Sequence, residues 1–134
     1  MADKSFTLEI VTPRKTVFKG EVVSFSAPGV LGGFQVLHNH APLLSELQVG
    51  EVKFIEASGK EARYATSGGF VEVKDNHVVM LAETAERADE IDVQRAQSAQ
   101  TRAKGRLPDK TTDLDRAHAA LARAMNRLRI SRKV

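Results

Sequence analysis

The order of apolar and polar residues changes its period once along the chain. Phe6, Leu8 and Ile10 alternate with polar neighbours before Thr12-Pro13, and Val23, Phe25 and Ala27 alternate before Pro28-Gly29. That two-residue repeat belongs to strands with one buried face. Val52–Phe54 and Arg63-Tyr64-Ala65 flank a Ser58-Gly59 turn, and Val71-Glu72-Val73 and Val78-Val79-Met80-Leu81 flank Asp75-Asn76; both pairs read as hairpins. Ser67-Gly68-Gly69 is followed by a strand rather than a helix, so it reads as a bulge or sharp corner and not as a phosphate loop. Many brief strands with no helix between them predict an antiparallel sandwich or barrel.

From Ala88 the repeat lengthens to 3.6 in good helix formers, and Gly105 followed by Leu107-Pro108 supplies a stop. A second helix is expected from about Asp109 to Ser131. Thr111 to Asp115 offer caps and first-turn acids, and Arg127, Arg129 and Arg132 stand at the negative end of the macrodipole. The fold class predicted is therefore mixed: an N-terminal antiparallel beta sandwich, residues 1–87, and a C-terminal alpha-helical hairpin, residues 88–134. The hairpin seam would rest on Ala96, Ala99, Ala103, Ala117 and Ala124. A buried leucine contributes roughly 1.5 to 3 kcal/mol and an alanine methyl clearly less, so such a hairpin docks weakly and can open and close.

Charge sharpens that division. Of the formal net charge of +3, residues 1–87 carry −2 and residues 88–134 carry +5; every aromatic lies between Phe6 and Phe70, and no acid follows Asp115. With 134 residues and no internal repeat, the ceiling is one modest core plus an appendage. No run approaches the ~20 apolar residues of a membrane helix, so direct membrane insertion is not expected. Met1-Ala2-Asp3-Lys4 leads straight into the strand pattern, which reads as a chain without a signal or transit segment. Zero cysteines exclude a disulfide scaffold and thiolate metal sites.

The candidate chemistry is concentrated in arginines. On a continuous helix Ile91, Asp92, Arg95, Ala96, Ala99, Arg102 and Ala103 would share an arc of about 140°, while Arg116, Arg123 and Arg127 form a ridge on the next helix beside Leu114, Ala117, Leu121, Ala124 and Leu128. One reading is a solvated basic face or a seam for an acidic protein partner. The other is a polyphosphate site, because guanidinium forks hold phosphate oxygens bidentately and clustered arginines repel unless an anion lies between them. Asp92 could then accept from a ribose or an adenine amino group, and Ile91 with Ala96 could pack on a base.

Other chemistry is poorly supported. Gly59-Lys60 is preceded by Phe54 where a phosphate-loop motif needs its first glycine, and no nucleophile stands beside a plausible histidine base, so no catalytic residue is assigned. His38-Asn39-His40 precedes Pro42 in a loop rather than lying on one strand face, which argues against a metal pair. The basic tail lacks aromatics for base stacking, which argues against nucleic acid.

Three stretches together resemble the epsilon subunit of rotary F-type ATP synthases over essentially the whole chain: Phe34 to Leu44 with its His40-Ala41-Pro42-Leu43, Ser67-Gly68-Gly69-Phe70-Val71-Glu72-Val73, and Ala85-Glu86-Arg87-Ala88 running to Arg95-Ala96. The resemblance implies a sandwich of about ten strands packed on the gamma shaft and touching the c ring. It implies two helices that fold against the sandwich or extend toward the alpha and beta catalytic subunits, where they inhibit ATP hydrolysis. It implies a non-catalytic regulatory and coupling subunit of a proton- or sodium-driven synthase, peripheral to the membrane on the bacterial cytoplasmic or thylakoid stromal face.

Some members hold ATP on the folded hairpin through Ile/Leu-Asp-x-x-Arg-Ala, without magnesium and without hydrolysis; Ile91, Asp92, Arg95 and Ala96 match that motif. By similarity Glu86 and Asp92 would hold the nucleoside, Ile91 and Ala96 the base, and Arg95, Arg102, Arg123 and Arg127 the phosphates and the hairpin. Gly33, His38, His40 and Pro42 would belong to the ring-facing loop, where Gly33 replaces an acid usual in the family and removes one salt bridge. The rival expectation is a purely structural coupling subunit whose helices do not sense nucleotide.

Overall fold

In a computed structural model, residues 4–106 and 114–132 are described. Nine strands precede two helices: β1 (Phe6–Val11), β2 (Thr16–Gly29), β3 (Gly32–Val36), β4 (Leu43–Leu47), β5 (Gly50–Glu56), β6 (Glu61–Thr66), β7 (Gly69–Lys74), β8 (His77–Ala82), β9 (Ala85–Arg87), α1 (Val93–Arg106) and α2 (Leu114–Ser131). The strand order is β1-β8-β7-β4-β2-β5-β6-β9, and β1 also pairs with β2, so the sheet curls back on itself around one core.

The curl depends on β2, which spans 14 residues where brief strands were expected. Val22 pairs with Phe6 of β1 and with Glu56 of β5, while Phe25 pairs with Val36 of β3 and with Phe54 of β5. Thus β1 and β3 lie end to end along one edge of β2, and β5 follows the other. Its pairing with β5 shifts register between Val22 and Ser24. The extra residue puts Val22 and Phe25 on the core face, both fully buried, and leaves Val23 half-buried, which corrects the simple alternation predicted through Val23.

Leu8, Ile10, Val22, Phe25, Val36, Val52, Phe54, Val71, Val73, Val78 and Met80 fill the core. The β7–β8 turn is the predicted Asp75-Asn76, with φ of 50° and 58°. Positive φ at both positions is the type I′ hairpin turn, and Asp and Asn tolerate it better than most residues. At the Ser67–Gly69 corner Gly68 and Gly69 have φ of 126° and 143°, and a Cβ on Gly69 would collide with the Leu81 carbonyl oxygen. One pairing departs from the predicted antiparallel sheet, since β1 and β8 run parallel; β9, too short to show a period, adds an antiparallel edge on β6 that the alternation did not predict.

The chain leaves β9 through a single 3-10 turn, Ala88–Glu90, and α1 begins only at Val93, five residues later than the periodicity predicted. Asp92 is the reason. Its Oδ1 accepts from the Arg95 backbone N–H at 2.9 Å and its carbonyl accepts from the Ala96 N–H at 3.0 Å, so it caps the helix from outside. The helix continues one residue beyond the Gly105 stop. The predicted caps at 111–113 lie outside the described residues.

Candidate functional site

Two seams hold the helices. Ala96 and Ala103 on α1, and Ala117 and Ala124 on α2, are buried, each pair seven residues apart, and the helices pack along these small residues; Ala99 is half-buried. Leu128 and Ile130 on α2 are also buried. Ile130 joins Ala65 of β6, Ala88 and Ile91 in a second small apolar cluster that seats α2 on the sandwich. Burying one isoleucine contributes about 1.5 to 3 kcal/mol, so this contact is modest.

Polar contacts specify the seat. Asn126, only 6% exposed, donates from Nδ2 to the Gly50 carbonyl at 2.8 Å and to the Thr66 carbonyl at 3.5 Å, and its Oδ1 accepts from Arg129 Nη2 at 2.7 Å. Gly50 and Thr66 face one another across β5 and β6. One turn position along, Arg127 Nε donates to Glu86 Oε1 at 2.7 Å and Nη2 to Oε2 at 2.9 Å, a two-pronged bond between α2 and β9. Both side chains are about seven-tenths shielded. The hydrogen bond to Glu86 raises the Arg127 pKa above its ordinary value, against some desolvation, with Asp92 adding to the attraction.

The motif residues are thus placed unequally. Ile91 and Ala96 are buried, Asp92 caps α1, and Glu86 is engaged by Arg127. Ile91 and Asp92 precede α1, so the continuous helical arc predicted through them begins only at Val93, with Asp92 capping the first turn. Arg95, Arg102 and Arg123 are exposed and form no ion pair among the described residues; Arg102 Nε reaches only the Ser98 carbonyl of its own helix, at 3.5 Å. The hairpin thus carries exposed guanidiniums without an ion pair among the described residues on both helices, and one, Arg127, compensated by Glu86.

Residues of the predicted ring-facing loop flank the two ends of β3. Gly33 is exposed on β3 opposite Pro28, beside the β2–β3 tip where Val30 and Leu31 project into solvent. His38, His40 and Pro42 follow the other end of β3, in the connection to β4. There the His40 N–H donates to the Leu37 carbonyl at 3.2 Å. Asn39, at φ 64°, takes the Asn76 side chain as acceptor on its N–H at 2.6 Å, while Asn76 Nδ2 donates to Asn39 Oδ1 at 3.0 Å.

An outer face of the sheet carries large exposed apolar side chains among acids, Glu46 lying opposite Phe70 and Glu72 opposite Leu44. Phe70 on β7 pairs directly with Leu81 on β8, and Leu44 on β4 sits diagonally from Phe70; the three are 51%, 56% and 71% exposed. Neither the seating role of Asn126 nor strand β9 is signalled by the local sequence. Asn126 gave no local signal for a contact 60 to 76 residues distant, whereas Asp92 as an N-cap was readable from an aspartate just before Val93.

Comparison with known proteins agrees with this architecture. The family described as "ATP synthase, Delta/Epsilon chain, beta-sandwich domain" matches residues 5–88, and "ATP synthase, Delta/Epsilon chain, long alpha-helix domain" matches residues 89–132. The ATP synthase epsilon chain of Syntrophomonas wolfei is 43% identical over 99% of this chain and 98% of its own. That of Desulforamulus reducens is 47% identical over 94% and 96%. Among solved structures, a chain of the Euglena gracilis mitochondrial ATP synthase superposes with a TM-score of 0.80 at 22% identity, covering 91% of this chain and 78% of that one, and shares the fold. By the match of both domains and by these relatives, the chain belongs to the delta/epsilon chain family of ATP synthases.

Proposed function

We propose that this chain is the rotor and regulatory subunit of its ATP synthase, with a hairpin that binds ATP when folded and inhibits ATP hydrolysis when extended. The observation that carries the nucleotide reading is that Arg95 and Arg102 on α1 and Arg123 on α2 are exposed without an ion pair among the described residues, on the same small-contact hairpin as Arg127. Like charges so placed oppose closure, and a polyphosphate among them reverses that sign, so ligand and closure are coupled. To carry a 1:99 equilibrium to 99:1 a ligand needs about 5.5 kcal/mol of preference, and charge-assisted hydrogen bonds of about 1.5 to 3 kcal/mol each supply it from a few arginines.

The sandwich in this reading lies on the gamma shaft and the c ring. Support comes from the exposed Leu44, Phe70 and Leu81 face, whose apolar side chains favour a protein partner over water, and from the projecting Val30-Leu31 tip. The extended helices, basic along α2, would reach the alpha and beta catalytic subunits. The subunit contributes no catalytic residue, uses ATP without magnesium, and stays peripheral on the cytoplasmic or stromal face; among the described residues no helix is long and apolar enough to cross a membrane.

Titrating the full chain with ATP while following hairpin compaction tests the sensor. A saturable response at or below millimolar ATP, lost in Arg95→Ala and Arg127→Ala before assembly is lost, is expected. No saturable response leaves the purely structural coupling role, which the Asn126 and Ile130 contacts favour because they seat α2 with no ligand-binding residue involved.

A further inference from the structure

Resemblance places Glu86 on the nucleoside, yet its two carboxylate oxygens occupy the Nε and Nη2 donors of Arg127 at 2.7 and 2.9 Å. That edge of the guanidinium is one of the two on which a planar fork accepts an anion bidentately. A phosphate oxygen pair on this edge competes with the Glu86 carboxylate for the same two N–H groups. The contact also joins β9, at the root of the hairpin, to α2 across 41 residues of sequence, so it closes the loop that contains all of α1.

We infer that Glu86 is a resident competitor for the anion site: it clasps Arg127 to keep the hairpin folded, and a polyphosphate binds by taking that fork from it. This rests on the nucleotide-sensor reading and adds its regulation. The clasp sets a threshold, since ligand must replace a bond already made, and it keeps a folded hairpin available to bind. With Asn126 and Ile130 also seating α2, loss of the clasp weakens closure without abolishing it.

The test uses the full chain and sodium tripolyphosphate, which has no nucleoside for Glu86 to hold. Wild type, Glu86→Gln and the double variant Glu86→Gln/Arg127→Gln are titrated calorimetrically, and hairpin closure is followed by hydrogen exchange of α2. The expected result is that Glu86→Gln binds tripolyphosphate about three- to tenfold tighter than wild type. Its α2 exchange should be faster without the anion and return to the wild-type rate with it. The gain must vanish in the double variant, because Arg127 is the group set free. Equal or weaker binding by Glu86→Gln, or a gain that survives in the double variant as a general effect of charge, overturns the competitor role. Failure of wild type to bind ATP sinks the sensor reading itself; wild-type ATP binding with no gain in Glu86→Gln sinks only the clasp.

Discussion

Asn126→Ala isolates what seats α2 on the sandwich. The substitution removes one good neutral hydrogen bond, Nδ2 to Gly50 O at 2.8 Å, and one at the limit of geometry, to Thr66 O at 3.5 Å. A typical bond contributes about 0.5 to 1.5 kcal/mol net, and a buried group left without its partner costs about 1 to 3 kcal/mol. Arg129 is exposed and exchanges its bond for water, so its share is small. The sum is about 2 kcal/mol, or roughly a 30-fold shift toward undocked α2; the truncated side chain leaves room for a water to recover part of it. Native-state hydrogen exchange reads this directly. Protection of α2 amides should fall about 10- to 100-fold while amides of Leu8, Phe25 and Val71 in the sandwich keep theirs. Unchanged α2 protection, or a loss shared equally with the sandwich core, would refute the idea that Asn126 governs docking rather than folding.

Two further outcomes follow from local geometry. Gly69→Ala should cost about 3 kcal/mol or more, since its φ of 143° disfavours a side chain and the Leu81 carbonyl blocks a Cβ, whereas Gly59→Ala, strained in φ at 94° but facing open space, should cost about 1 kcal/mol. Thermal denaturation separates them, at about 4 to 8 °C per kcal/mol for a domain of this size. Burial raises the pKa of Tyr64 above the ordinary value near 10, so its neutral form is favoured in the folded state. The unfolded chain then ionises first: this contribution to stability is intact below pH 10 and is lost as pH rises through the higher folded value. As the chain has one tyrosine and no tryptophan, absorbance near 295 nm reports it alone; a midpoint at or below the ordinary value, or an unaltered alkaline loss of stability in Tyr64→Phe, would contradict the assignment.

Local signals were legible where neighbouring residues alone decide the conformation. The alternation at Phe6, Leu8 and Ile10, the Asp75-Asn76 and Ser58-Gly59 turns and the Ser67–Gly69 corner all correspond to strands and turns of the fold. What escaped depends on distant partners. A bulge between Val22 and Ser24 exists only relative to β5, the parallel β1–β8 pair joins residues about 70 apart, and β9 is a strand because β6 is beside it. The alanine seam was visible as a stripe, whereas Asp92 was absorbed into the same helical period although its side chain ends the period there. At the site, residue types pointed to an anion, but pairing of Arg127 with Glu86 is a tertiary fact no spacing encodes.

The length of β2 has a mechanical consequence. Because that strand is bonded to β1, β5 and β3 and reaches Leu47 of β4 at its far end, a sideways push on the Val30-Leu31 tip is carried by several ladders loaded together, in shear, rather than by bonds that could unzip one at a time. The tip is a finger rooted in the whole sandwich, built to take load without peeling away.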